Sequence, residues 1–398
     1  MAMGNKSNQE IDSEISFILN ELGEDREQYF QAIAPPIVQT SNFAFKTVDA
    51  IRQSFKDEYS GYLYSRGLNP TVDILRKKLA ALDGAEDCLV FNSGAAAIFS
   101  SIVPFVQSGD HIVSVRSPYT WAQKCFDLFL VRYQVTTTYV DARDTQNVID
   151  ACNDKTKIIY LESPNSWDFA IQDMKSIAEF AKERGILTVC DNSYCTPIYQ
   201  RPILLGIDLV LQSATKYIGG HSDVVAGVLT GKKSLLKKIF DLEYLLAGNG
   251  IQPFNAWLLL RGLRTLPARL DRISNTTIEV LNFLKSHPKI EQMIFPFDDT
   301  FPQTDLAKSQ MTGACGLFSI VVKTDSVVRI ERFCESLTCF LIAVSWGGYE
   351  SLVLPKIAGM DPSLFNKDDP QHRMIRIYVG LESAEYLIKD LEIGLDLL

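Results

Sequence analysis

From about residue 72 onward, short apolar runs alternate with longer amphipathic segments. Asp73 to Leu82 has helical spacing and is closed by Gly84. Cys88 to Phe91 then reads as a buried strand, followed by Ser93-Gly94 and an alanine-rich helix. Further strand-like runs are His111 to Val115, Val135 to Val140, Lys157 to Leu161, Ile186 to Cys190 and Leu209 to Leu211. Helical segments such as Ile171 to Arg184 separate them. Strands that are apolar throughout and spaced by helices predict a parallel sheet covered on both faces.

The flanks differ in character. Residues 1–60 read as an arm, with an amphipathic stretch from Ile11 to Leu22 and an extended piece at Pro35-Pro36. After Ile251 come two long helices, Asn255 to Leu263 and Leu266 to Lys285. An apolar strand from Gly316 to Val322 and an alternating one from Ile375 to Val379 follow. The predicted organisation is therefore an arm (1–60), an α/β domain (61–254) and a smaller α+β domain (255–398).

Length and charge narrow the function. A chain of 398 residues exceeds one ordinary core, so two domains are expected. The net charge of -9 argues against nucleic acid, because phosphate contacts need a basic face. Met1 to Asn20 lacks the basic start and apolar stretch of a signal peptide. The most apolar region, Cys88 to Val106, is broken by Asn92, several serines and Pro104, so no membrane span is expected. Eight cysteines without a CxxC pair predict reduced, mostly buried thiols in a cytoplasmic protein. Four histidines show no metal spacing, and no metal is expected.

Candidate chemistry gathers at the strand ends, where open α/β sheets bind ligands. Leu209 to Leu211 leads into Ser213, Thr215 and Lys216, followed by Gly219-Gly220. Hydroxyls there suit a phosphate, and the lysine suits a Schiff base with an aldehyde. Cys88 to Phe91 ends in Ser93-Gly94-Ala95, a small-residue turn opening a helix whose N–H groups suit a phosphate. The other strands end in Ser117-Pro118-Tyr119, Glu162-Ser163-Pro164 and Asp191-Asn192. A phosphate turn, an aromatic, an acid, two hydroxyls and a lysine are what pyridoxal 5′-phosphate (PLP) requires. Taken singly, each has an ordinary explanation: a helix cap, a solvated lysine, a core tyrosine. Their coincidence on one sheet edge favours the cofactor. Other motifs fail. Gly227 to Ser234 resembles a P-loop but has the wrong glycine spacing, and no GxGxxG is present. His221-Ser222-Asp223 are adjacent and form no triad by themselves.

Six segments carry a family resemblance. They are Tyr62 to Thr71 (YLYSRGLNPT), Val189 to Asn192, Gln212 to Asp223 (QSATKYIGGHSD), Leu260 to Arg269 (LRGLRTLPAR), Ser345 to Leu352 (SWGGYESL) and Arg376 to Glu382 (RIYVGLE). Together they resemble the Cys/Met-metabolism PLP-dependent enzymes over nearly the whole chain after about residue 30. The resemblance implies PLP fold type I, the aspartate aminotransferase-like fold, with a mostly parallel seven-stranded sheet between helices. It implies Lys216 as Schiff-base lysine and proton shuttle, Asp191 on the pyridine nitrogen and Tyr119 stacked on the ring. The phosphate would be held by the Gly94 and Ala95 backbone with Ser213 and Thr215, and by Tyr64 and Arg66 of a neighbouring subunit. Arg376 would grip the substrate α-carboxylate beside Ser345, with Tyr119 and Trp346 shaping the pocket. A homotetramer built as a dimer of dimers is implied.

Within the family, Gly94-Ala95-Ala96-Ala97, Glu162-Ser163-Pro164 and especially Ser345 to Leu352, with Trp346, are most similar to the bacterial cystathionine β-lyases. The implied reaction is β-elimination of L-cystathionine to homocysteine, pyruvate and ammonia, a transsulfuration step of methionine biosynthesis. The siblings are γ-elimination and γ-replacement; a non-catalytic protein of this fold is the reading from another class. Two positions depart from the family pattern: Ser166 stands where asparagine is usual, with Asn165 one place early, and Val344 precedes Ser345.

Overall fold

The computed structural model describes residues 8–398. The first seven residues of the expected arm lie outside them. The described chain forms two compact units. The larger comprises the residues up to Ser163, with Gln172–Thr215 and Asp223–Arg264. The smaller comprises Pro164–Ile171, Lys216–Ser222 and Thr265–Leu398. The opening residues 8–60 count with the larger unit.

The larger unit is built on seven strands: β1 (Asp87–Phe91), β2 (His111–Val115), β3 (Thr136–Val140), β4 (Thr156–Glu162), β5 (Leu187–Asp191), β6 (Leu209–Ser213) and β7 (Gly227–Gly231). Their order is β1-β7-β6-β5-β4-β2-β3. β7 runs antiparallel to both neighbours, and the remaining pairs are parallel. Alternate side chains feed two cores. Ile158 and Tyr160 of β4 join Ile98, Ala122, Phe126 and Ile239. Ile159 and Leu161 of the same strand join Met174, Ile177, Ala178 and Ala181. The period of two thus sends neighbouring residues of β4 to opposite helical layers, which is why its centre is apolar throughout.

Six of these strands lie where the sequence predicts them. β7 was not predicted, because the stretch that faintly resembles a P-loop is a buried strand bounded by Gly227 and Gly231. A Cβ at Gly227 would stand 2.2 Å from the Ser93 carbonyl oxygen, so the glycine serves close packing.

The smaller unit carries β8 (Ile290–Ile294), β9 (Leu317–Val322), β10 (Leu341–Ile342), β11 (Leu352–Pro355) and β12 (Met374–Tyr378). They form one sheet in the order β10-β11-β12-β9-β8. β8, β10 and β11 escape prediction. β8 carries two exposed polar residues, β10 has only two residues, and β11 ends in proline. The long helix Leu266–Lys285 has the predicted limits. Among the described residues no helix is long and apolar enough to cross a membrane.

Candidate functional site

In the larger unit the strand ends deliver the predicted residues to one edge. Helix Gly94–Ile102 follows β1 directly, and Ser93 caps it by accepting a hydrogen bond from the Ala96 N–H at 3.1 Å. The N–H groups of Gly94 and Ala95 are in the first turn, where the helix offers them no partner. Ser213 closes the cradle from β6. A Cβ built on Gly94 would stand 3.2 Å from the Ser213 Cβ and Oγ. A helix N-terminus faced by a serine hydroxyl, with glycine keeping the approach open, fits a phosphate dianion. The Thr215 hydroxyl donates to the Ala226 carbonyl at 3.2 Å and accepts the Ala226 N–H at 3.0 Å, so it ties the turn together.

The acids sit side by side. Glu162 and Asp191 are register partners at the ends of β4 and β5, and Asp191 also pairs with Leu211 of β6. Both are buried. Asp191 accepts the Ser193 N–H at 2.9 Å, and the Ser193 hydroxyl in turn accepts the Ser213 N–H at 2.6 Å. Glu162 accepts the Tyr119 N–H at 2.6 Å, which fixes the residue that opens helix Thr120–Lys124. The sequence marks Glu162 as a strand-end and motif residue; its part in positioning Tyr119 is visible only in the structure. Burial, with the charges of Asp191 and Glu162, raises the Tyr119 phenol above its ordinary range, so the ring stays neutral at physiological pH. Tyr64 and Arg66 are exposed on the same unit, with the guanidinium 5.4 Å from the Tyr64 ring centroid.

The chain passes from the first unit to the second between Thr215 and Lys216. In the smaller unit Lys216 Nζ donates to the Ser345 hydroxyl and lies 4.6 Å from the Trp346 ring centroid. Gly347 makes this approach possible. Its φ is +86°, and a Cβ there would stand 2.6 Å from the Tyr217 nitrogen and 2.7 Å from the Lys216 carbonyl carbon. Ser345 itself has φ +88°, an uncommon backbone for serine and a cost that its surroundings sustain. Arg376, on β12, is buried between two indoles at 4.6 Å (Trp167) and 5.1 Å (Trp346). It donates to the Ser166 carbonyl at 3.1 Å. Val344 is exposed.

The structure therefore groups Lys216, Ser345, Trp346 and Arg376 in one unit, and Gly94, Ala95, Tyr119, Asp191, Ser213 and Thr215 in the other. Sequence reasoning missed Trp167. The family pattern drew attention to its neighbours: Ser166 offers its carbonyl to Arg376, while the Asn165 side chain accepts the Trp167 N–H at 3.1 Å. A tryptophan two places beyond a motif gives no signal of its own.

A family model for Cys/Met metabolism PLP-dependent enzymes matches residues 18–396. An L-methionine gamma-lyase of Treponema denticola is 37% identical over 92% of this chain and 93% of its own. A cystathionine gamma-lyase of Bacillus subtilis is 34% identical, covering 90% of this chain and 93% of its own. A cystathionine beta-lyase of the same organism is also 34% identical, covering 91% of each. Overall identity thus does not separate β-acting from γ-acting relatives, and the β-lyase likeness rests on local motifs. A match across nearly the full chain, with a sheet edge suited to a phosphate, places this chain in the Cys/Met-metabolism PLP-dependent enzyme family.

Proposed function

We propose that the protein, a PLP-dependent enzyme of fold type I in a family of carbon–sulfur lyases, cleaves the Cβ–S bond of L-cystathionine, with water giving homocysteine, pyruvate and ammonia. The observation that carries this reading is Trp346, whose ring lies 4.6 Å from the Lys216 ammonium and 5.1 Å from the Arg376 guanidinium.

PLP, when bound, supplies an aldehyde for the substrate amine and a ring that accepts the electron pair left at Cα. Lys216 anchors it and, once displaced, takes the Cα proton at Nζ. The Ser345 hydroxyl holds Nζ in place through the hydrogen bond it accepts. Lys216 then delivers a proton to the departing sulfur. Arg376 binds the α-carboxylate as a two-pronged donor, its plane fixed by the flanking indoles. Trp346 Nε1 is buried with no acceptor in the described protein, which suits a donor to a substrate oxygen. Asp191 would pair with the pyridine nitrogen and Tyr119 would stack on the ring. Gly94, Ala95 and Ser213 would hold the phosphate, and Thr215 would join them by turning its hydroxyl from the Ala226 carbonyl. A γ-reaction asks the same Nζ to take a second proton, at Cβ. An indole against the ammonium restricts that travel, which favours β-elimination.

Tyr64 and Arg66 serve the phosphate of a neighbouring copy in this reading, within a cytoplasmic homotetramer. Arg66 is exposed and has no carboxylate partner in the described chain, as a phosphate ligand requires. Apolar Phe30 and Ile33, 99% and 78% exposed, suit burial by another subunit.

The test is product analysis on L-cystathionine. Pyruvate with homocysteine is expected, whereas 2-oxobutyrate with cysteine refutes β-elimination. Lys216→Ala is expected to abolish turnover and the colour of covalently held cofactor; a variant that keeps both removes Lys216 from its assigned role.

A further inference from the structure

Within the smaller unit, the Trp167 indole faces two cations. The Arg376 guanidinium carbon lies 4.6 Å from its ring centroid and Lys356 Nζ lies 5.4 Å from it. Arg376 already has an assigned partner in the substrate α-carboxylate. Lys356 has none. Its ammonium donates to the Gln371 side-chain oxygen, a neutral group, and among the described residues no carboxylate stands within ion-pair distance. Asp168 and Asp369 act on it only through space. The side chain is half-buried, and burial lowers its basicity. A partly desolvated ammonium without a counter-ion is costly to keep unless an anion arrives to meet it.

We propose that Lys356 forms a subsite for a second carboxylate on the substrate, with Trp167 as the platform it shares with Arg376. The ligand class is a dicarboxylic amino acid, and L-cystathionine is its instance under the function proposed above, on which this inference rests. The dimensions permit this. The two distances to one centroid place the guanidinium carbon and the ammonium no more than 10 Å apart (4.6 + 5.4). The carboxyl carbons of cystathionine are seven single bonds apart, about 9 Å when extended, so a modest bend brings both to their cations. Methionine and S-alkylcysteines have no second carboxylate and gain nothing from Lys356. A charge pair of this kind separates the two substrate classes by selective attraction.

The experiment compares L-cystathionine with S-methyl-L-cysteine on PLP-loaded wild type, Lys356→Met and Lys356→Arg. In Lys356→Met the ratio of kcat/KM for cystathionine over S-methylcysteine is expected to fall roughly ten- to hundredfold, carried by KM. In Lys356→Arg, which keeps the charge, the ratio is expected to stay within about threefold of wild type. An unchanged ratio in Lys356→Met overturns the subsite, as does an equal loss on both substrates. Should wild type cleave S-methylcysteine but not cystathionine, the proposed function fails while the subsite stays testable. Cystathionine is then used as a competitor of S-methylcysteine. Inhibition at least about tenfold weaker in Lys356→Met supports the subsite, and equal inhibition overturns it.

Discussion

Asp83→Asn is expected to change how stability depends on pH. Asp83 ends the helix Pro70–Asp83 and is fully buried. Its carboxyl accepts from Gln212 Nε2 at 3.0 and 3.2 Å and from Thr230 Oγ1 at 2.7 Å. Burial pushes it up from 3.8 to about 7, against opposing pulls from Thr230, Arg201 and Gln212. Its place at a helix C-terminus, the negative end of the dipole, also disfavours a charge there. Below the unfolded value both states hold the proton and nothing is lost. As pH rises from about 4 to about 7, only the unfolded state releases it, so stability falls by about 1.4 kcal/mol per unit. Across the full shift, from 3.8 to about 7, this amounts to about 4 kcal/mol. Asparagine carries no charge in either state and lacks this slope. Its NH2 can donate to Thr230, whose hydroxyl also reaches the Val210 carbonyl at 3.3 Å. Urea unfolding of both proteins at about pH 5, 6.5 and 8 reads the difference, which is expected to grow in favour of Asp83→Asn with pH. Parallel stability curves for the two would refute the argument that burial shifts this carboxyl.

Two further substitutions test the site. Gly347→Ala forces an alanine to φ +86° with its Cβ 2.6 to 2.8 Å from the Lys216 and Tyr217 backbone. Left-handed strain and overpacking together cost about 2–5 kcal/mol, so the melting temperature is expected to drop by several degrees and kcat at least about tenfold. Wild-type values for both would show that the loop does not depend on this approach. Gly94→Val fills the space against Ser213, where a bare Cβ already meets Oγ at 3.2 Å. Equilibrium dialysis is expected to show PLP retention weakened by about tenfold or more, and unchanged retention would move the phosphate elsewhere.

Much of the larger unit was legible because most of its strands are buried on both faces, the edge strand β3 excepted. Apolar runs such as His111 to Val115 and Leu209 to Leu211 stand out against helical spacing whatever the tertiary context. β7 was not legible, because its ends are glycines selected by the Ser93 carbonyl beside Gly227 and the Asp208 carbonyl beside Gly231. The two-residue β10 becomes a strand only through its pairing with β11. At the site, Asp191 and Lys216 were visible because strand ends and motif residues are fixed by local chain order. Thr215 was visible too, but its bonds to Ala226 depend on a residue eleven positions away.

The sequence by itself determined the α/β class, and it marked the sheet edge and the lysine that we propose hold the cofactor. These follow from periodicity and from motif residues close together in the chain. Only the tertiary structure decided what surrounds them. It set Trp346 against Lys216 and Arg376 against both Trp167 and Trp346, pairs separated by 130 and 209 positions and by 30 (346 − 216, 376 − 167 and 376 − 346). It also put Lys356 beside Trp167 and left its ammonium without a carboxylate among the described residues. Cation–π contacts and unpaired buried charges depend on spatial neighbours, and the linear order of residues does not contain that information.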